Sequence, residues 1–459
     1  MTKPASRDNR EASDVPSPGS TPTEWNKPIA SIADSVASDT VQTTPRRRST
    51  WLVWISVFGP GIIAAAAGND AGGIATYSQA GAQYGLNLLW CLAIITVGLI
   101  FVQEMCSRMG AVTGKGLAGL IRENFGVKIT FFAMIALVLA NFALIVSEFA
   151  GIAAVGDMFG ISRYYVVPAA MLVVWLLVSR GSFQKVERIF IVASGVFVVY
   201  IITALKQGVP WHETAIATFL PETIHPHPKF TPVLLAMVVA LIGTTISPYM
   251  QFYQQAAVRD KGITMKDYAY ARADTIFGCV LSNVVAAFII ITCAVTLNKA
   301  GITNISNGTD AAQALAPLAG KLSTYLFAFG LLNASLMAAV VVPLSSAYAV
   351  TEALGWESGM GRRIRELPLF YGTYGIMILL GGIVVIALPK SSNLFQLILG
   401  AQAINCLLLP VELILMLVLV NRRRVMGKDK NTFWDNVGGW TTAVVAGVLS
   451  IVYLVWHPS

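Results

Sequence analysis

A chain of 459 residues that is 55% hydrophobic and only 12% charged carries about half the charge of an ordinary soluble domain, which uses about 25%. That balance excludes a soluble globular protein. Apolar runs of roughly 20 residues recur along most of the chain, so the composition defines a polytopic helical membrane protein. The net charge of +8 does not point to nucleic acid, because the basic residues gather in alternate short loops.

In chain order, residues 1–48 are rich in Ser, Thr, Pro and Asp and lack apolar periodicity, the signature of a disordered tail. No apolar run precedes a small-residue cleavage site, so the tail does not read as a signal peptide. It ends in Arg46, Arg47 and Arg48, just before Trp51, which marks the cytoplasmic end of the first span. The hydrophobic pattern predicts eleven spans, at about 51–82, 86–107, 130–157, 161–179, 184–206, 229–258, 274–298, 320–353, 368–389, 391–420 and 436–456. With the N-terminus inside, the cytoplasmic loops at 108–128, 180–188, 259–272, 362–365 and 422–430 hold nineteen Lys and Arg, against six outside. This bias supports the span count and puts the C-terminus outside, in a cell membrane.

No predicted span contains a histidine: His212, His225 and His227 lie in an external loop and His457 at the C-terminus. The five cysteines (Cys91, Cys106, Cys279, Cys293, Cys406) sit in or beside apolar segments without CxxC spacing and read as small buried apolar residues. Asn304-Ile305-Ser306 and Asn307-Gly308-Thr309 match glycosylation sequons on the outer side. No nucleophile–base pair or cofactor motif occurs, so the chain does not read as an enzyme.

Two spans carry helix breakers in their middle. The first contains Gly59-Pro60-Gly61 and then Gly68-Asn69-Asp70-Ala71-Gly72-Gly73; the sixth contains Gly243-Thr244-Thr245-Ile246-Ser247-Pro248-Tyr249. Broken helices at matching places in two halves point to a transporter site at mid-membrane. Unwinding frees backbone carbonyls, which must line a cavity or an ion site because lipid cannot satisfy them. Asp70 is the sharpest residue, since a carboxylate at that depth costs at least about 2.5–3.5 kcal/mol on insertion scales. It persists where a cation neutralises it, or as a structural cap on a half-helix. Facing hydroxyls on Thr244, Thr245 and Ser247 favour a cation. Carboxylate, hydroxyl and carbonyl oxygens without His or Cys suit a hard ion such as Mg²⁺ or Ca²⁺.

The stretch 59–85 (GPGIIAAAAGNDAGGIATYSQAGAQYG) resembles the first helix of the natural resistance-associated macrophage protein (NRAMP) family of metal transporters. Gln103-Glu104, Gly114-Lys115, Glu148, the Lys185–Glu187 region, Asn283, and Gln402 with Pro410 fit the family in order, so the resemblance covers about 59–430. It implies an all-α fold of five plus five inverted repeats (LeuT-like) with an added eleventh helix. The repeats would run over about 51–206 and 229–420 and the extra helix over 436–456, within a transporter domain at 49–459.

The resemblance also implies a ligand set. Asp70 matches the family's metal-binding aspartate, and Ala67 and Thr244 match positions whose carbonyls bind metal. Gly73 stands where the family has a metal-binding asparagine, and Ser247-Pro248-Tyr249 replaces Met-Pro-His. Ile145 stands where the family has an aspartate of the proton path. Gln402 would reach the ion during occlusion or pack between helices. Glu148 would stabilise charge near the site or hydrogen-bond the broken helix; Asp274 reads as a helix-start residue or gate contact. Loss of the thioether removes selection for soft ions, and Gly and Ser for Asn and Met predict a roomier pocket. The pattern is similar to the NRAMP-related magnesium transporters. The expected function is therefore a monomeric, proton-uncoupled uniporter for Mg²⁺ that also admits Mn²⁺, the metal being cargo and no cofactor being used. The rival readings are a proton-coupled Mn²⁺ or Fe²⁺ symporter, an amino-acid or organic-cation transporter of the same fold, and a membrane-embedded sensor.

Overall fold

The computed structural model describes residues 68–180, 189–220, 229–359, 364–389 and 391–456. The N-terminal tail, Ala67 and the first half of the first span, the Lys185–Glu187 region, His225, His227 and His457 lie outside the described residues. Those that are described fall in one contact unit, Trp54–Ser459.

All regular structure among the described residues is helical: α1 Ala71–Tyr84, α2 Leu89–Thr113, α3 Leu117–Met158, α4 Arg163–Ser179, α5 Ile189–Lys206, α6 Trp211–Phe219, α7 Pro232–Thr245, α8 Pro248–Asp260, α9 Tyr268–Cys293, α10 Ser323–Leu354, α11 Pro368–Ala387, α12 Leu394–Asn421 and α13 Phe433–Val455. Taken with α1 as half of the first span and α7–α8 as one broken span, these helices fall on the eleven expected positions; α6 lies in the loop after α5. Nine helical stretches among the described residues are long and apolar enough to cross a bilayer, and α4 is a shorter apolar helix. The five cysteines are free and buried, as expected. His212 lies exposed on α6.

Local chemistry sets the boundaries. Thr231, with Pro232 at the first helical position, opens α7: its side chain accepts from Leu234 N. Asn393 caps α12 in the same manner, and Thr432 and Asp435 form a capping box at the start of α13. Within α3, Gly126 adopts φ +79°, a left-handed conformation that Gly takes without a steric penalty. The membrane part of α3 therefore begins after this kink, close to the expected start at 130.

The seventh span differs from expectation. Helix α9 begins at Tyr268, so Asp274 lies nearly two turns inside it and is buried, not a helix-start residue. The polar segment Tyr268–Arg272 resembles a loop in hydropathy because the helix extends past the apolar zone.

Small residues set the distances between helices around the breaks. A side chain at Gly243 of α7 would run into the Gln402 carbonyl and, at 2.9 Å, the Cys406 amide, so α7 and α12 meet backbone to backbone. Added at Gly151 of α3, a Cβ would stand 2.6 Å from Ser335 Oγ on α10 and 2.7 Å from Ala71 Cβ on α1. Close approach through small residues is how membrane helices gain packing without a hydrophobic driving force between them. Here it draws α1, α3, α7, α10 and α12 around the two breaks.

Candidate metal site

Asp70 is fully buried and is the N-cap residue of α1. Its Oδ1 accepts from Gly73 N at 2.7 Å, which satisfies one of the free N–H groups at a helix start. The capping role foreseen as the alternative is thus real, but it occupies one oxygen only. Oδ2 is buried with no hydrogen-bond partner among the described residues.

A second carboxylate reaches the same helix end. Glu148, fully buried on α3, accepts from Ala71 N through Oε2 at 3.2 Å, and its Oε1 has no partner among the described residues. Of the two roles expected for Glu148, the hydrogen bond to the broken helix is the one seen. A helix N-terminus carries about +0.5 of an elementary charge. A single ionised carboxylate already outweighs that partial charge, so the end of α1 becomes a cation-attracting point.

The second break follows from Pro248. Proline lacks an N–H and its ring clashes with the carbonyl four residues back, here Thr244, so α7 ends at Thr245 and α8 starts anew at Pro248. The partly negative C-terminus of α7 then faces the first break. Thr244 is fully buried, and its Oγ1 has no partner among the described residues. That Oγ1 would stand 3.5 Å from a Cβ at Gly73, which ties Thr244 to the end of α1.

Gln402 on α12 completes the group. It is fully buried, and its amide fills the space where a side chain at Gly72 would go; Asp70 Oδ1 borders the same spot at 3.1 Å. Its Oε1 accepts from Asn405 Nδ2 at 3.4 Å, while Nε2 has no partner among the described residues. A half-turn of the amide brings the oxygen over Gly72.

Asp70, Gly73, Thr244 and Gln402 are therefore brought together. The side chain of Ser247 is turned to its own helix: its hydroxyl donates back to the Gly243 carbonyl at 2.8 Å and the Thr244 carbonyl at 3.4 Å, covering acceptors at the end of α7. Nor does Gly73 enlarge the pocket as expected. A Cβ there would meet the Gly68 carbonyl at 2.9 Å and the Tyr77 ring at 3.3 Å, so the volume given up by a larger side chain is already filled. Ile145 is buried against Gly381.

Tyr77 was missed in the sequence. One turn beyond Gly73 on the same face of α1, it bonds through its hydroxyl to Thr245 Oγ1 at 3.0 Å and so joins the two broken spans. The i, i+4 spacing from Gly73 was the signal that could have found it.

Space around the site is lopsided. On the α7 side a cavity of about 280 Å³ is lined by Gln79 and Gln83 of α1, Val233 to Ala240 of α7, and Gln396 to Ala403 of α12. On the α8 side Tyr77, Thr245, Gln103 and Gln254 help enclose a chamber with room for about one water-sized guest. One turn further along, Arg108 of α2 pairs with Glu104 and Asp435, Tyr268 of α9 bonds Glu104, and Arg259 of α8 pairs with Glu352 of α10.

A helix that starts at a buried carboxylate, beside a span broken at Pro248 and within a bundle whose described residues include nine apolar helical stretches long enough to cross a bilayer, defines a membrane transporter of the five-plus-five inverted-repeat fold. The chain belongs to the natural resistance-associated macrophage protein-like family, whose profile matches residues 61–456. It is a divalent metal cation transporter, not an enzyme, and the metal is its substrate. Similar curated proteins include the divalent metal cation transporter MntH of Deinococcus radiodurans, 28% identical over 453 residues that cover 95% of this chain and 98% of that protein. The protein of the same name from Agrobacterium fabrum is 24% identical over 423 residues, 88% of each chain. Among solved structures, the manganese transporter of Eremococcus coleocola in complex with an aromatic bis-isothiourea substituted compound superposes with a TM-score of 0.74 at 22% identity, covering 90% of both chains. MhsT in complex with L-phenylalanine gives 0.61 at 15% identity over 86% of this chain and 97% of that one.

Proposed function

We propose that the protein carries Mn²⁺ by alternating access, binding it between the two breaks at Asp70, Thr244, Gln402 and the backbone carbonyls near Ala67 and Thr244, and that it moves a proton with the metal. The observation that carries this reading is the end of α1. Two buried carboxylates, Asp70 and Glu148, each spend one oxygen on a helix N–H and keep the other without a partner among the described residues. One group can hold the ion while the other takes a proton.

Carboxylate, carbonyl and water oxygens suit Mn²⁺ as well as Mg²⁺ and Ca²⁺, so a thioether at position 247 is not needed for manganese. The names of the relatives, divalent metal cation transporters and a manganese transporter, support the same cargo. A second reading, uncoupled Mg²⁺ transport, rests on the all-oxygen donor set and on Ile145 and Tyr249 in place of the proton groups of the family. An inside-negative potential offers a divalent ion about 4.6 kcal/mol per 100 mV, enough to drive uptake alone. Ser247, its hydroxyl turned away, enters the ligand set only if the hydroxyl rotates.

We further propose a monomer in the cell membrane with the N-terminus inside and the C-terminus outside, as the nineteen-to-six loop bias supports. The repeats are assigned to about 51–206 and 229–420, after a tail at 1–48. Uptake into proteoliposomes holding a pH dye tests the cargo and the coupling together. Mn²⁺ entry with internal acidification is the expected result. Mg²⁺ entry at a comparable rate without acidification favours the second reading, and no flux of either ion overturns both.

A further inference from the structure

The chamber on the α8 side is polar yet uncharged, and two of its amides are set with their oxygens free. Gln103 of α2 and Gln254 of α8 are 3% and 1% exposed, line the same chamber, and each leaves Oε1 without a partner among the described residues. Gln254 is anchored by its nitrogen, which donates to Thr275 Oγ1 at 3.1 Å; Thr275 in turn donates to the Ala271 carbonyl at 2.8 Å. The anchor fixes the amide so that its oxygen is the free end. Burying such acceptors without partners costs on the order of 1–3 kcal/mol each, so their retention calls for an occupant. Met250 and Cys279 add a thioether and a thiol to the lining, and no charged side chain lines the chamber among the described residues.

We propose that this chamber is a second station for the transported ion, a neutral one, which receives it from Asp70 on the way to the α8 side. The inference rests on the transport reading above and adds a site to it. An ion held only by a buried carboxylate is slow to leave. Conduction needs successive sites that bind strongly enough to accept the ion and weakly enough to release it. Amide oxygens replace lost waters without adding negative charge, so the ion is passed on instead of being trapped. Tyr77 and Thr245 border both the central group and the chamber, and their hydrogen bond must part for the ion to pass. The sulfur of Met250 makes the station more favourable to a transition ion than to Mg²⁺, since thioethers are soft donors. The central site lacks that discrimination.

The test is Mn²⁺ uptake by proteoliposomes together with Mn²⁺ titration of the detergent-solubilised full chain. The double variant Gln103→Leu/Gln254→Leu is expected to lower maximal Mn²⁺ uptake about tenfold while the affinity of the central site stays within about twofold of wild type, since the variant alters passage and not capture. Met250→Leu preserves volume and serves if the double variant misfolds. It is expected to lower Mn²⁺ uptake about threefold, the size of one weak donor lost, and to leave any Mg²⁺ flux unchanged. Wild-type Mn²⁺ uptake in the variants overturns the station, and so does a loss of central-site affinity in step with the loss of uptake, which marks a purely structural role. If the wild type itself moves no Mn²⁺, the parent reading fails instead, and the two failures are distinguished.

Discussion

The two breaks meet at one place but are built in opposite ways. The first is built from carboxylates: Asp70 and Glu148 converge on the start of α1, and each keeps one oxygen without a partner among the described residues. The second is neutral, made by Pro248 and furnished with hydroxyls and freed carbonyls. In the second break much of the freed polarity is already absorbed, because Ser247 covers the Gly243 and Thr244 carbonyls. Cation attraction is therefore concentrated on α1, while α7 and α8 supply shape and the partly negative end of a helix. Placing the charge on one side of the crossing leaves the other side able to let go.

Substitutions on the two sides should differ in size. The largest effect among three uncharged changes is expected at Gly73→Asn, which restores the donor common in the family. The new Cβ would lie 2.9 Å from the Gly68 carbonyl, and such overpacking costs about 1–3 kcal/mol. Mn²⁺ uptake should therefore fall by about tenfold or more, and a gain in Mn²⁺ affinity would show that the first break has room after all. On the second break, Thr244→Val keeps the side-chain shape and removes Oγ1, which has no partner among the described residues. The loss of one neutral donor is worth about 1 kcal/mol, so the KM for Mn²⁺ should rise about fivefold with the maximal rate little changed. The smallest effect is expected from Ser247→Ala, because its hydroxyl serves the α7 carbonyls. Uptake should stay within about twofold of wild type, with a loss of thermal stability corresponding to about 0.5–1 kcal/mol. A tenfold loss of uptake would make Ser247 a ligand and the second break stronger than described.

The fold was legible because its signals are local. Apolar runs mark the spans, and Gly and Pro mark the breaks. Asp70 stood out since an intramembrane carboxylate is costly wherever it lies. What depends on packing across distance was legible only through the family resemblance. Glu148 meets Ala71 over 77 residues of sequence, and Gln402 fits the hollow beside Gly72 from the other half of the chain. The sequence also invites the wrong arithmetic at Gly73, where a smaller residue implies more room. In the folded protein the Gly68 carbonyl and the Tyr77 ring take up that room. Ser247 misled for a related reason: a hydroxyl beside a break is as apt to satisfy its own helix as to face an ion.

Asp70→Asn gives the most direct test of the central claim, because asparagine caps a helix as well as aspartate does and removes only the charge. Mn²⁺ uptake is measured in proteoliposomes for wild type and variant at matched reconstitution. Uptake falling to background in a variant that unfolds within a few degrees of wild type is the result predicted. Uptake near the wild-type rate would contradict the account and leave Asp70 as a helix cap alone.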